Sequence, residues 1–266
     1  MQPPSILTTT MSILRQTLFT TRLIHATIKQ NLSSRHHVRS PTSAHTIQQP
    51  RCCSHNSVAD KYVLGIETSC DDTGAAVVDN KGNIIGEALD SQTKIHNATG
   101  GIIPTVAKEL HKENVERIVS EALLDANMTI DEMDAIAITV EPGLIMSLRV
   151  GMEYAVSLAK SSGKPLIPIH HMQAHALTAR MVEKVDFPFL VLLASGGHCL
   201  LAVAKDIDDF VILGSTVDVS PGDAIDKVGR FLSIYSMVAF FMIACPISHV
   251  SFHETGKYIF ARVIYF

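Results

Sequence analysis

Between Lys61 and Arg230 the sequence changes period in a fixed order, and that order limits the folds open to the chain. Residues 62–67 are a short apolar, partly β-branched run, residues 70–74 (CDDTG) carry turn chemistry, and residues 75–78 resume as a second strand. The Asn80-Lys81-Gly82-Asn83 turn then leads into a third strand at 84–89, so the opening is a meander. Behind Pro104, which suits a first helical turn, Val106, Leu110, Val115, Ile118, Val119, Ala122 and Leu123 fall near helical spacing and predict one long amphipathic helix. Strands and helices alternate after that: strand 135–140, helix 147–161, strand 166–169, a helix from His171, and strands 189–194 and 199–204 around Gly196-Gly197. A meander followed by alternation predicts an α/β lobe built on a mixed sheet. Sheets of this kind place ligands where strands end and loops begin.

The two ends of the chain differ from this middle. Residues 1–59 hold Arg15, Arg22, Lys29, Arg35, Arg39 and Arg51 with no Asp or Glu, and are rich in Ser, Thr, Gln and His. That composition predicts a disordered mitochondrial transit peptide. A secretory signal is disfavoured, because Arg15 and Arg22 divide the one apolar stretch that could serve as its core. Without those six cations the remainder keeps 16 basic side chains of the 22 against all 26 acidic ones, a net charge of -10. So acidic a body binds nucleic acid poorly unless its basic residues are gathered locally, because affinity for phosphates comes mainly from Lys and Arg. The five cysteines, 52, 53, 70, 199 and 245, form no CxxC pair and read as thiols in a reducing compartment. Residues 231–248 carry no charge and reach the length of a marginal membrane span. Ser233, Ser236 and Pro246 weaken that reading, so a membrane partner is not expected and residues 233–266 stand as a divergent apolar tail.

Three segments can carry chemistry. In Ile169-His170-His171-Met172-Gln173-Ala174-His175 a strand gives way to a helix, and His171 and His175 stand four residues apart, so both imidazoles share one helix face and reach one ion. The alternative is a surface helix with spare histidines. A zincin is disfavoured, since Met172 stands where that signature needs its general-base Glu. Leu193-Ala194-Ser195-Gly196-Gly197-His198 ends a strand with two glycines, which lets backbone N–H groups approach an anion; the same residues also suit an ordinary hairpin turn. Asp218, Asp223 and Asp226 surround a Pro221-Gly222 turn, where a carboxylate either accepts from a ligand hydroxyl or stabilises a helix start.

Taken in order, YVLGIETSCDDTGAAVV, GGIIPTVAKELH, PGLIMSLRVG, PIHHMQAHAL, FPFLVLLASGGH and LGSTVDVSPGDAIDKVGR resemble successive motifs of the tRNA N6-adenosine threonylcarbamoyltransferase family, once called glycoproteases, over residues 61–232. FPFLVLLASGGH with VDVSPGDAIDK is most similar to the mitochondrial branch. The resemblance implies an actin-like ATPase or sugar-kinase type lobe at 60–232. It implies transfer of a threonylcarbamoyl group from threonylcarbamoyl-AMP to N6 of the adenosine 3′ of the anticodon, in tRNAs reading codons that begin with A. Under it, His171 and His175 are metal ligands for one divalent ion of Fe or Zn type, and Leu193, Ala194, Ser195, Gly196, Gly197 and Asp226 bind the adenylate. No nucleophilic side chain is required. The partners it implies are tRNA, threonylcarbamoyl-AMP and a second copy in a homodimer.

Departures from the family pattern are Gln173 where Glu is common, Glu141 where Gly is frequent, and Val219 where many relatives have Asp. The family also continues past this point into a second lobe bearing a third metal ligand, an Asp, which is not recognisable in residues 233–266. The expectation is therefore a chain with the second lobe largely missing, and the alternative to an active transferase is a catalytically inactive form acting as a binding module. An actin-like sugar kinase is disfavoured: Glu67 sits where such kinases show Asp, and HHMQAH has no role there.

Overall fold

The structure is a computed structural model and describes residues 60–182, 185–231, 250–254 and 257–265. The transit peptide expected at 1–59 and most of the charge-free stretch at 231–248 lie outside the described residues. No described helix is long and apolar enough to cross a membrane.

Two five-stranded sheets organise the chain. The first has strand order β3-β2-β1-β4-β5, from β1 (Tyr62–Glu67), β2 (Asp72–Asp79), β3 (Ile84–Ser91), β4 (Ala135–Glu141) and β5 (Leu166–His170). β1 runs antiparallel to β2 and parallel to β4, and β4 runs parallel to β5, so the sheet is mixed as the sequence predicts. The period of two sorts its side chains between faces. Leu64, Ile66, Ile136 and Ile138 face α2 (Pro104–Asp125) and α3 (Ile145–Ser162), where they meet Val115, Ile118, Val119, Ala122 and Val150. Val63, Ala135, Ala137 and Ile169 face the other way, onto Ala174 of α4 (His171–Val182).

The polar turn after β1 is tighter than its composition suggests. Asp72, Thr73 and Gly74, expected in the turn, belong to β2 and pair with Ser91, Asp90 and Leu89. Pairing with β3, joined at Gly74 by pairing with Glu67 of β1, outweighs the local turn preference of Asp and Gly. Sequence pattern also passes over the short helix α1 (Thr93–Ala98), which carries no amphipathic run of useful length.

The second sheet has the order β8-β7-β6-β10-β9. Its meander, β6 (Phe189–Ala194), β7 (Cys199–Ala204) and β8 (Phe210–Ser215), is antiparallel, and α5 (Pro221–Phe231) follows it. β9 (Val250–Glu254) and β10 (Lys257–Tyr265) come from the segment read as an apolar tail, and β10 lies parallel to β6. Lys257–Tyr265 is rich in β-branched and aromatic residues, which accounts for its strand conformation.

α4 is shared by both sheets. Ala174 packs in the cluster of the first, while Met172 and Ala176 pack on Phe189, Val191, Leu193, Ala202 and Ala204 of the second. With roughly 100° between successive helical residues, these contacts occupy two flanks of the helix. His171 and His175 form a third stripe between those flanks, and sheet packing thereby aims them.

Candidate metal and nucleotide site

The site starts at the carboxyl end of β1. Glu67, the last residue of that strand, is buried. Its Oε1 accepts the Ser69 N–H at 2.5 Å, and its Oε2 accepts the hydroxyl of Thr139, a fully buried residue on neighbouring β4. The turn beyond Glu67 is braced from α3: Thr68 donates its hydroxyl to the Ser147 carbonyl at 3.0 Å, and the Leu144 N–H donates to the Ser69 carbonyl at 2.8 Å. Gly143 allows that approach, since a Cβ there would lie 2.6 Å from the Ser69 carbonyl oxygen.

His171 opens α4 directly after β5, and His175 follows one helical turn later. Their Nε2 atoms are 2.9 Å apart, with ring planes at 89° and centroids 4.4 Å apart. Two nitrogens bound to one ion at about 2.0–2.1 Å, at angles near 90–110°, are themselves separated by roughly 3 Å. The observed spacing therefore fits two ligands of a single ion. Behind the pair, His171 Nδ1 lies 3.2 Å from Ser69 Oγ and 3.6 Å from Glu67 Oε2.

Electrostatics favour the same use. Burial holds His175 well below the ordinary imidazole range, and the adjacent His171 lowers it further. His175 is thus neutral near pH 7 and keeps a lone pair for a ligand bond. Burial alone would raise the Glu67 carboxyl. The neighbouring His171 outweighs it, with hydrogen bonds from Ser69 and Thr139 adding to the effect, so Glu67 is held below the usual carboxylate value. A carboxylate beside a ligating imidazole is the usual outer-shell arrangement of metal sites. Among the described residues no group of three or more His, Cys, Asp or Glu is placed to hold an ion. The histidines and their backing thus fit two positions of a coordination shell.

The second element is the turn between β6 and β7. Leu193 and Ala194 are buried at the end of β6, Leu193 inside the apolar cluster, and both are paired on two sides, with β7 and with β10. Ser195, Gly196 and Gly197 form the turn itself. The Ser195 hydroxyl accepts the N–H groups of Gly197 (3.3 Å) and His198 (2.9 Å), while the Ser195 N–H donates to the His198 carbonyl at 2.7 Å. Both glycines are exposed, and a Cβ on either would meet nothing within 4 Å, so the outer side of the turn is open.

α5 closes on the inner side. Ser220 donates its hydroxyl to the Gly196 carbonyl at 2.5 Å, and its own carbonyl accepts the Ala224 N–H. A Cβ at Gly222 would lie 2.6 Å from the Ser195 carbonyl oxygen, so the Pro221-Gly222 start of this helix is shaped for contact with the turn. Asp226 lies within α5, but its side chain is outside the described residues.

The sequence-predicted histidines thus converge, and the predicted turn residues are gathered by α5. The sequence reading missed Glu67, Ser69 and Thr139 as the backing of His171. Glu67 offered one signal, a carboxylate ending a strand that is otherwise apolar, but its partnership with Thr139 spans 72 positions and leaves no local pattern. Ser220, likewise missed, carried the signature of a helix cap before Pro221.

Comparison with known proteins bears on what such a site serves. The family model described as TsaD: tRNA N6-adenosine threonylcarbamoyltransferase matches residues 83–252. Over 186 residues the chain is 57% identical to the mitochondrial tRNA N6-adenosine threonylcarbamoyltransferase of Rattus norvegicus, covering 70% of this chain and 44% of that protein. The protein of the same name from Homo sapiens is 57% identical over 174 residues, 65% of this chain and 42% of that one. A bacterial tRNA N6-adenosine threonylcarbamoyltransferase, from Persephonella marina, is 42% identical over 172 residues, 65% of this chain and 50% of that one. The chain therefore spans about half or less of the length of these relatives. Among solved structures, YeaZ from Pseudomonas aeruginosa superposes with a TM-score of 0.41 at 16% identity, covering 61% of this chain and 68% of that one.

Proposed function

The chain belongs to the tRNA N6-adenosine threonylcarbamoyltransferase family, and from that premise we propose that it transfers the threonylcarbamoyl group of threonylcarbamoyl-AMP to N6 of the adenosine 3′ of the anticodon, in tRNAs reading codons that begin with A. In this reaction the N6 amine forms the new bond to the carbamoyl carbon, the bond from that carbon to the phosphate oxygen breaks, AMP leaves with the electron pair, and the amine gives up one proton to solvent. The nucleophile belongs to the tRNA, so the protein's work is to bind, orient and stabilise charge. Residues 60–232 are the lobe that carries these motifs. As its relatives are named mitochondrial, the protein acts in mitochondria, with the acid-free residues 1–59 as its import signal.

The observation that carries this reading is the convergence of two Nε2 atoms at 2.9 Å, on a helix clamped between two sheets. His171 and His175 would hold one divalent ion of the Fe or Zn class. When bound, the ion supplies a Lewis acid for the carbamoyl or phosphoryl oxygen. Neutral His175 keeps its lone pair for that role, and buried Glu67 places negative charge behind His171. The open side of Ser195, Gly196 and Gly197 receives the adenylate against backbone, the buried Leu193 and Ala194 hold that turn on β6, and the Asp226 carboxylate accepts a hydroxyl of the same ligand.

The test is rescue. Cells depleted of the protein and supplied with this chain should regain N6-threonylcarbamoyladenosine in mitochondrial tRNA, measured by mass spectrometry of digested nucleosides. The chain carrying His171→Ala and His175→Ala should not restore it. An unchanged deficit with the unaltered chain contradicts the proposal, and equal rescue by both forms removes the histidines from the site.

A further inference from the structure

We propose that Glu67 is the positioning residue of the histidine pair: it sets the tautomer and tilt of His171, so that Nε2 rather than Nδ1 is offered to the ion. The inference rests on the metal reading above and assigns a role to a residue that no motif for the ion contains.

Glu67 is held too firmly for an incidental neighbour. One oxygen accepts the Ser69 N–H at 2.5 Å, the other accepts the Thr139 hydroxyl, and the side chain sits between two adjacent parallel strands. The carboxylate therefore cannot swing away without leaving buried donors unmatched, which costs more than the bonds themselves contribute. Its Oε2 is 3.6 Å from His171 Nδ1, and Ser69 Oγ is 3.2 Å from the same nitrogen. At 3.6 Å the carboxylate acts mainly through charge, while Ser69, itself tied to Glu67 through its N–H, supplies the shorter contact. An ionised carboxylate accepts and never donates. Beside Nδ1 it favours the ring form that carries its proton there, which leaves Nε2 as the accepting nitrogen, 2.9 Å from His175 Nε2. His171 is tied to β1 by this contact, whereas His175 is placed by the helix.

The outer-shell role has a definite size, since removing such a partner weakens metal affinity by about 10–100-fold. The experiment is a zinc titration of the full chain against a chromophoric chelator, on the unaltered protein, Glu67→Gln and Thr139→Val, with a thermal melt of each. Glu67→Gln keeps the size and an acceptor oxygen but removes the charge. It should bind zinc about 10–100-fold more weakly, and Thr139→Val should fall between it and the unaltered chain. A folded Glu67→Gln protein with the unaltered affinity overturns the positioning role while leaving the histidine pair standing. An unaltered chain that takes up no zinc overturns both.

A second measurement does not depend on the variants folding. Long-range 1H–15N spectra of the zinc-free, unaltered chain report which ring nitrogen of His171 carries the proton. A proton on Nδ1 supports the proposal, and a proton on Nε2 overturns it.

Discussion

The Nδ1 of His171 is held by Ser69, 102 positions away in the sequence, and the carboxylate behind it by Thr139, 72 positions from Glu67. The hydroxyl of Ser195 turns back on His198, three positions on, and the glycines beside it face open space. The histidine half of the site is thus a product of the folded first sheet, with His175 buried and His171 half-buried against buried Glu67 and Thr139. The turn half is local and exposed. On the proposed reading the histidines must be preorganised, because imidazoles that drift lose the ion. A backbone cradle needs access, and its rigidity can come from a single cap such as Ser220 on Gly196. The contrast predicts that damage to the first sheet reaches the histidines, while damage to the turn does not.

The strongest way to break the contrast is through the core. Ile138→Ala, next to Thr139 on β4 and almost fully buried, should cost about 2–5 kcal/mol in urea denaturation. It should weaken zinc binding as well, and a large stability loss with unchanged zinc affinity would show the two to be uncoupled. Gly222→Val comes next. Its new Cβ meets the Ser195 carbonyl, and overpacking of this kind costs about 1–3 kcal/mol. Adenylate binding, measured by calorimetry, should fall while zinc affinity stays within twofold.

Ser195→Ala should be milder, about 1 kcal/mol or less, because the turn is solvent-accessible and water replaces the lost hydroxyl. Amide exchange should quicken at Gly197 and His198 and stay unchanged on β1. The smallest effect is the pH dependence. Burial holds His111 below its ordinary value, and His170 is shifted the same way by burial. Such a group takes a proton more readily in the unfolded chain, below about pH 6.5, than in the fold, so stability falls as pH drops through that value. Melts at pH 7.5 and 5.5 should show that loss. His111→Gln, which retains hydrogen-bonding reach towards Thr73 and the Cys70 carbonyl, should show a shallower one.

The parts of this molecule that follow a period could be read from the sequence. The meander, the long helix behind Pro104 and the alternation through His171 all repeat at two or 3.6 residues, and the structure contains them. The i, i+4 spacing of His171 and His175 is likewise a local property, and the rings do converge. What escaped depends on distance in the chain. Thr139 reaches Glu67 only because β1 and β4 are neighbours in the sheet, a fact carried by no window of residues. Asp72 to Gly74 read as a turn from composition, but all three pair with β3, and Gly74 with Glu67 of β1 as well, so the ladder overrides composition. β10 was passed over because its partner, β6, lies about 70 residues earlier.

The central claim is that His171 and His175 present two Nε2 atoms to one ion, and X-ray absorption at the zinc edge tests it most directly. The zinc-loaded chain should show two imidazole ligands at about 2.0–2.1 Å, reduced to one by His175→Ala. A spectrum that is the same with and without His175, or one that lacks imidazole scattering, contradicts the account.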